Sequence, residues 1–252
     1  MLQVTTQKGQ GRSPNLSLEA YRELLFTFKD AGYSFCGFEE INSRLTEQRP
    51  FLVLRHDIDI SLCPALEIAR IEYEQGVQAT YFVLLRSPFY NIFSRSNAEL
   101  MLQIHHYGHQ IATHLDLAAY DNDCAKALME VEVLSQFYPY LNTRLVSLHS
   151  SYDLNQMPIE LFQQLDHVYG PAVRGEIAYI SDSTGRWRYG HPLDSAAFHT
   201  RKPLQLLTHP IWWVQEGETA TQKLECWLYS DYLNSQVTLK EFLPKLFKLG
   251  GS

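Results

Sequence analysis

Apolar positions along the chain switch between two spacings. Over residues 18–31 they recur at helical intervals, at Tyr21, Leu24, Leu25 and Phe28, with Ser17 placed to cap the start and Gly32 to close the end. Residues 51–55 (FLVLR) then form a short apolar run of strand length. The alternation continues with a helix over 63–75 ended by Gly76, a strand over 79–85, a helix over 97–107 ended by Gly108, and a strand over 110–114. A helix over 120–137, a strand over 145–149, a helix over 158–165 and strands over 177–180 and 204–208 follow, and 219–233 and 239–247 have helical spacing. Short apolar strands separated by amphipathic helices imply a mostly parallel sheet covered by helices. The expected architecture is α/β, a distorted (β/α) barrel of about seven parallel strands with helices outside.

Composition narrows this picture. The 252 residues are 45% hydrophobic, enough for a sizeable core and too many for a disordered chain. Residues 1–16 read as a flexible lead-in and 17–252 as a single domain. The formal charge of −7 argues against an electrostatic nucleic-acid binder. No apolar run reaches the roughly 18 residues of a membrane span. Cys36, Cys63, Cys124 and Cys226 are far apart with no C-x-x-C pair, so they read as free thiols, and a cytoplasmic location is expected.

The unusual polar residues fall at one kind of place. Arg55-His56-Asp57-Ile58-Asp59 follows the first strand, His114-Leu115-Asp116 the third, and His149 ends the next; Asp182 and His209 follow the last two. In a parallel barrel the C-terminal strand ends share one face, and active sites lie there. Asp57 and Asp59, two apart in an extended segment, can point into one pocket. Converging carboxylates and imidazoles suit zinc first, and also cobalt, nickel or iron, with one carboxylate left to take a proton from water. Any one of these residues alone has a duller reading. A His after a strand is more often a hydrogen-bonded structural residue, and Asp59 and Asp116 can each be helix N-caps. Five such residues on one face are harder to dismiss. His105-His106 ends a helix, His109 reads as structural, and Arg70 with Glu74 as a solvated face.

These residues, in the segments LRHDID, GHQIATHLD, LVSLHSSY, YISDSTGRW and LQLLTHPIWW, resemble the polysaccharide deacetylase superfamily, the NodB-homology carbohydrate esterases. The resemblance runs over residues 18–213 and is nearest to a divergent branch associated with surface-polysaccharide biosynthesis. It implies a distorted (β/α) barrel, one divalent metal held by an Asp and two His, and removal of acetyl groups from N-acetylated sugars. By resemblance Asp57 is the general base and His209 the general acid. The family's second Asp falls at Ile58, so Asp59 is the substitute ligand. His114 matches the first metal His, whereas the second falls at Ala118, which cannot ligate. His149 stands where the family has an Arg, and His149, or alternatively Asp116, is the expected third ligand. Arg55, His56, Arg86, Tyr152, Asp182 and Trp187 are the candidate contacts to a carbohydrate substrate; Trp187 and Tyr152, with Trp212-Trp213, are candidate stacking walls. The alternatives are a catalytically inactive NodB-like glycan-binding or assembly protein, and a metal-dependent hydrolase of a different C–N amide.

Overall fold

The computed structural model describes residues 16–149, 159–170 and 175–248. Within them, parallel strands β1 (Ser34–Cys36), β2 (Phe51–Ile58), β3 (Thr80–Leu84), β4 (Gln110–Leu115), β5 (Asn142–Leu148), β6 (Asp166–His167), β7 (Ala178–Ser181) and β8 (Leu204–Thr208) form one sheet. Seven lie in the order β6-β5-β4-β3-β2-β8-β7. β8 takes one edge of β2, while β1 and β3 divide the other, at residues 51–53 and 55–58. The path curls into a half-barrel, the distorted (β/α) barrel expected; among the described residues no ladder joins β6 to β7.

Two apolar layers hold the sheet. Phe82, Ala112, Leu145 and Val168 fill the concave side as one cluster. The convex side packs on helices α1 (Leu18–Asp30), α3 (Leu62–Glu74) and α4 (Arg95–His106) in a larger cluster that includes Leu52, Leu54, Tyr81 and Leu206. Helix α2 (Ile41–Glu47) lies between β1 and β2 in sequence, and α5 (Cys124–Phe137) covers β5. The short helices α6 (Ile159–Phe162), α7 (Ala196–His199) and α8 (Ile211–Val214) and the long α9 (Ala220–Phe242) complete the order. The α1 stripe is the one foreseen: Tyr21, Leu24, Leu25 and Phe28 are buried, at about 1.5–3 kcal/mol each, and Ser17 accepts a hydrogen bond from the Ala20 amide.

Several boundaries differ from the pattern reading. β2 runs three residues past Arg55, through Ile58, with all eight residues buried. The helix expected over 120–137 is a 3-10 turn (Leu117–Tyr120) followed by α5, because Asp121 and Asn122 take left-handed backbone between them. The two helices expected over 219–247 are one, α9: residues 234–238 contain no Gly or Pro to interrupt it. β1 and β6, of three and two residues, are too short to show periodicity. Leu16, assigned to the lead-in, is buried at the foot of α1; residues 1–15 lie outside the described set.

Candidate metal centre

Strand alternation sorts the polar residues of β2. Arg55 and Asp57 face the concave side, where Arg55 lies over the Phe82 ring at 5.4 Å, and Asp59 follows in the same phase. His114 near the end of β4 and His149 just after β5 are brought to them by the β4–β5 pairing and by the His149 amide, which donates to Leu115 O at 2.8 Å.

Asp59, His114 and His149 form a tight triad. Asp59 Oδ1 is 3.3 Å from His114 Nε2 and 3.4 Å from His149 Nδ1, and the two nitrogens are 3.3 Å apart. Bonds of about 2.0–2.1 Å to one ion at the tetrahedral angle separate neighbouring ligand atoms by about 3.3–3.4 Å. Three groups at that spacing form the face of a tetrahedron with a fourth position open. Asp59 Oδ1 is buried with no hydrogen-bond partner among the described residues, although two imidazole nitrogens stand beside it. An oxygen so placed fits a shared cation better than a hydrogen-bond network. His114 Nδ1 meets Ser147 Oγ at 2.7 Å, and a proton held there leaves the Nε2 lone pair for the ion. Burial opposes the Asp59 charge, but the two imidazoles outweigh it and hold the carboxyl far below its usual range. Asp59 in turn raises His149.

Two further carboxylates flank the triad with different tasks. Asp57 Oδ2 accepts from Arg55 Nη2 at 2.6 Å and lies 3.7 Å from His114 Nε2, while Asp57 Oδ1 is buried and unpartnered among the described residues. Burial would raise Asp57, but the Arg55 guanidinium overrides it and keeps the carboxylate ionised. Asp182, expected as a substrate contact, is instead fully buried after β7, where it accepts from His209 Nδ1 at 2.7 Å and from Trp213 Nε1 at 2.7 Å. That turns His209 Nε2 toward the triad, 3.8 Å from Asp59 Oδ2. Burial alone would lower His209, yet Asp182 prevails and raises it to about 9. Asp57, Asp59, Ser61, His209, Pro210 and Trp212 line a cleft beside the triad.

No protein-family model matches the sequence, and no curated protein matches it. Among solved structures the chain is similar to a mutant of the peptidoglycan deacetylase PdaC from Bacillus subtilis. That match is 13% identical, covers 79% of this chain and 98% of the other, and has a TM-score of 0.42.

The remaining candidates are placed elsewhere or play other parts. His56, expected at the substrate, is fully buried on the convex side, where Nε2 meets Glu72 Oε1 at 2.7 Å and Nδ1 meets Thr208 Oγ1 at 2.7 Å. The reason is the longer β2: an unbroken strand puts position 56 on the face opposite 55 and 57. Arg55 is 2% exposed and supports Asp57 through Nη2, while its Nε and Nη1 have no hydrogen-bond partner among the described residues. Asp116, the alternative ligand, accepts from the Ala118 amide at 3.1 Å as the cap of the 3-10 turn and lies outside the triad. Arg86 lies over the Tyr120 ring and donates to Ala119 O. Trp187 packs edge-on against Trp213 and His191. Tyr152 lies outside the described residues. His109 is structural, with Nε2 against Ala69 O at 2.9 Å.

Sequence reasoning passed over Ser147 and the Trp213 indole N–H. Ser147 is two residues before His149 in LVSLH, so strand alternation puts the two on one face. The Trp213 role had no signal: Trp212-Trp213 read as a stacking wall, whereas Trp213 is buried and its indole N–H is given to Asp182.

Proposed function

We propose that this chain is a metal-dependent deacetylase of the divergent NodB-like branch, removing an acetyl group from an N-acetylated sugar precursor of a surface polysaccharide. Zinc is the proposed metal, since a His/His/Asp face with tetrahedral spacing suits it best; cobalt, nickel and iron are the alternatives. A cytoplasmic site of action, on a nucleotide- or lipid-linked sugar, belongs to the same reading. The observation that carries it is the mutual spacing of 3.3, 3.3 and 3.4 Å among Asp59, His114 and His149.

When bound, the metal would acidify a water molecule and polarise the acetyl carbonyl. Asp57 accepts the proton that water loses, through the Oδ1 that Arg55 leaves free. Arg55 keeps that carboxylate ionised and fixes its rotamer. His209, protonated through neutral pH, donates from Nε2 to the departing amine nitrogen as the C–N bond breaks. The products are acetate and a free amino sugar. Asp182 and Trp213 hold the imidazole in the tautomer this requires. Trp187 and Tyr152 are the proposed aromatic contacts to the sugar ring, and Arg86 a contact to an anionic group on the substrate.

The test is metal content by elemental analysis, with acetate release from an N-acetylglucosamine oligomer or nucleotide sugar measured in parallel. One equivalent of transition metal, lost in both His114→Ala and His149→Ala together with activity, is the expected result. Metal lost only in His114→Ala would remove His149 from the ligand set. A wild-type protein that takes up no zinc, cobalt or nickel would overturn the assignment in favour of a glycan-binding protein. Metal uptake with turnover of a simple amide but no acetylated sugar would redirect it to another C–N hydrolase.

A further inference from the structure

Helix α9 leaves the body partway along its length. Its root is anchored: Lys223 donates its ammonium hydrogens to the carbonyls of Leu16, Trp212 and Gln215 at 2.6, 2.7 and 2.9 Å. Trp227 is buried and meets Phe89 edge-on at 5.6 Å. Beyond it, every residue of 228–242 but Gln236 is exposed. A free helix of that length is marginal in water, so these turns need a partner.

Their sequence is not that of a solvated rod. Leu228, Tyr232, Ser235, Leu239 and Phe242 succeed one another at steps of four, three, four and three, the spacing of a heptad seam. The four large side chains of this stripe are 54%, 59%, 42% and 81% exposed. With Tyr229 and Leu243 on its flank, the stripe presents roughly 700 Å², at about 150–250 Å² per large aromatic side chain. That is above the few hundred Å² of an ordinary exposed patch and close to the roughly 800 Å² per partner of a standard interface.

The charges choose the partner and its direction. The root half exposes Glu225 and Asp231, its one cation Lys223 being buried; Lys240 and Glu241 stand at the tip, and Lys245 and Lys248 follow just past the helix end. A second copy laid antiparallel sets the acidic root of each helix against the basic tip of the other. A parallel copy would set like against like. Antiparallel pairing also places Ser235 near the crossing point, where a small side chain lets the helices approach.

We infer that residues 228–242 of α9 form an antiparallel two-helix interface with a second copy of this chain, making the protein a two-fold symmetric dimer. The test is molar mass by light scattering on the full-length chain, independent of any activity. Wild type is expected at twice the chain mass. Leu239→Asp, an exposed position whose change leaves the body intact by circular dichroism, is expected to run as a monomer. Asp231→Lys should weaken the dimer at least tenfold, and adding Lys240→Asp, the cation nearest to position 231 of the antiparallel partner, should restore it. A monomeric wild type would overturn the inference, and if that monomer sedimented with anionic phospholipid vesicles the stripe would be a membrane-surface helix. A dimer indifferent to Leu239→Asp would place the interface elsewhere. Failure of the second charge change to rescue the first would overturn the antiparallel arrangement.

Discussion

The two faces of β2 each carry a cluster of histidines and carboxylates, and the clusters differ in how far they are satisfied. On the convex face Glu72, fully buried, accepts from His56, Tyr21 and Tyr81, with His109 3.6 Å away. Burial would raise Glu72, yet His56 and its neighbours hold it low, while both tyrosines are pushed well up. No oxygen of that carboxylate is left over. On the concave face Asp57 Oδ1 and Asp59 Oδ1 are buried without partners among the described residues, beside imidazole nitrogens arranged around a common centre. The same residue types thus make a closed network on one side and an open site on the other. Residue identity does not tell them apart; the unused lone pairs do.

His114 separates the two clusters most sharply. His114→Ala is expected to abolish metal binding and to lower acetate release by about 10³-fold or more, with a smaller cost in stability of the metal-stripped protein than a change at Glu72. The mirror experiment is Glu72→Ala, which takes the carboxylate partner from His56 Nε2 and from the Tyr21 and Tyr81 hydroxyls. It should cost about 3–5 kcal/mol in denaturant unfolding, with the metal content of the folded protein unchanged. A Glu72→Ala protein that lost its metal at full stability would join the two clusters into one device.

Asp182→Asn is the next test. His209, raised to about 9, keeps its proton through neutral pH, so activity should persist to mildly alkaline pH and fall as pH passes about 9. Removing the carboxylate should bring that limb down toward the ordinary imidazole value near 6.5 and lower the rate about 10–100-fold. An unmoved limb would mean that another group is the acid. The smallest effect belongs to Thr208→Val, which takes the partner from His56 Nδ1. A loss of about 1–3 kcal/mol of stability is expected, with metal stoichiometry intact.

The strand–helix order was legible because each element carries its own periodicity. The convergence of residues 57, 59, 114, 149 and 209 was legible because parallel strands share an end. His56 was misplaced for a reason also present in the sequence. Once Asp57 and Asp59 are put on one side, alternation sends His56 to the other, and reading the strand as ending at Arg55 hid this. Nothing in the sequence distinguishes Glu72 from other acids of an amphipathic helix, since its burial depends on Tyr21 and Tyr81 arriving from distant segments. Asp116 shows the opposite case, where the modest N-cap reading was correct and the ligand reading was not needed.

The Lys223 ammonium has a consequence for how the molecule opens. Burial lowers its proton affinity, and its three bonds go to carbonyls drawn from the residue before the α1 cap, from α8 and from the residue after it. Segments some 200 positions apart are therefore released together or not at all. In native-state hydrogen exchange, the amides of α1, α8 and the first turns of α9 should share one protection free energy and one denaturant slope. The outer turns of α9 should exchange apart from them, at a rate that depends on protein concentration if two copies meet there.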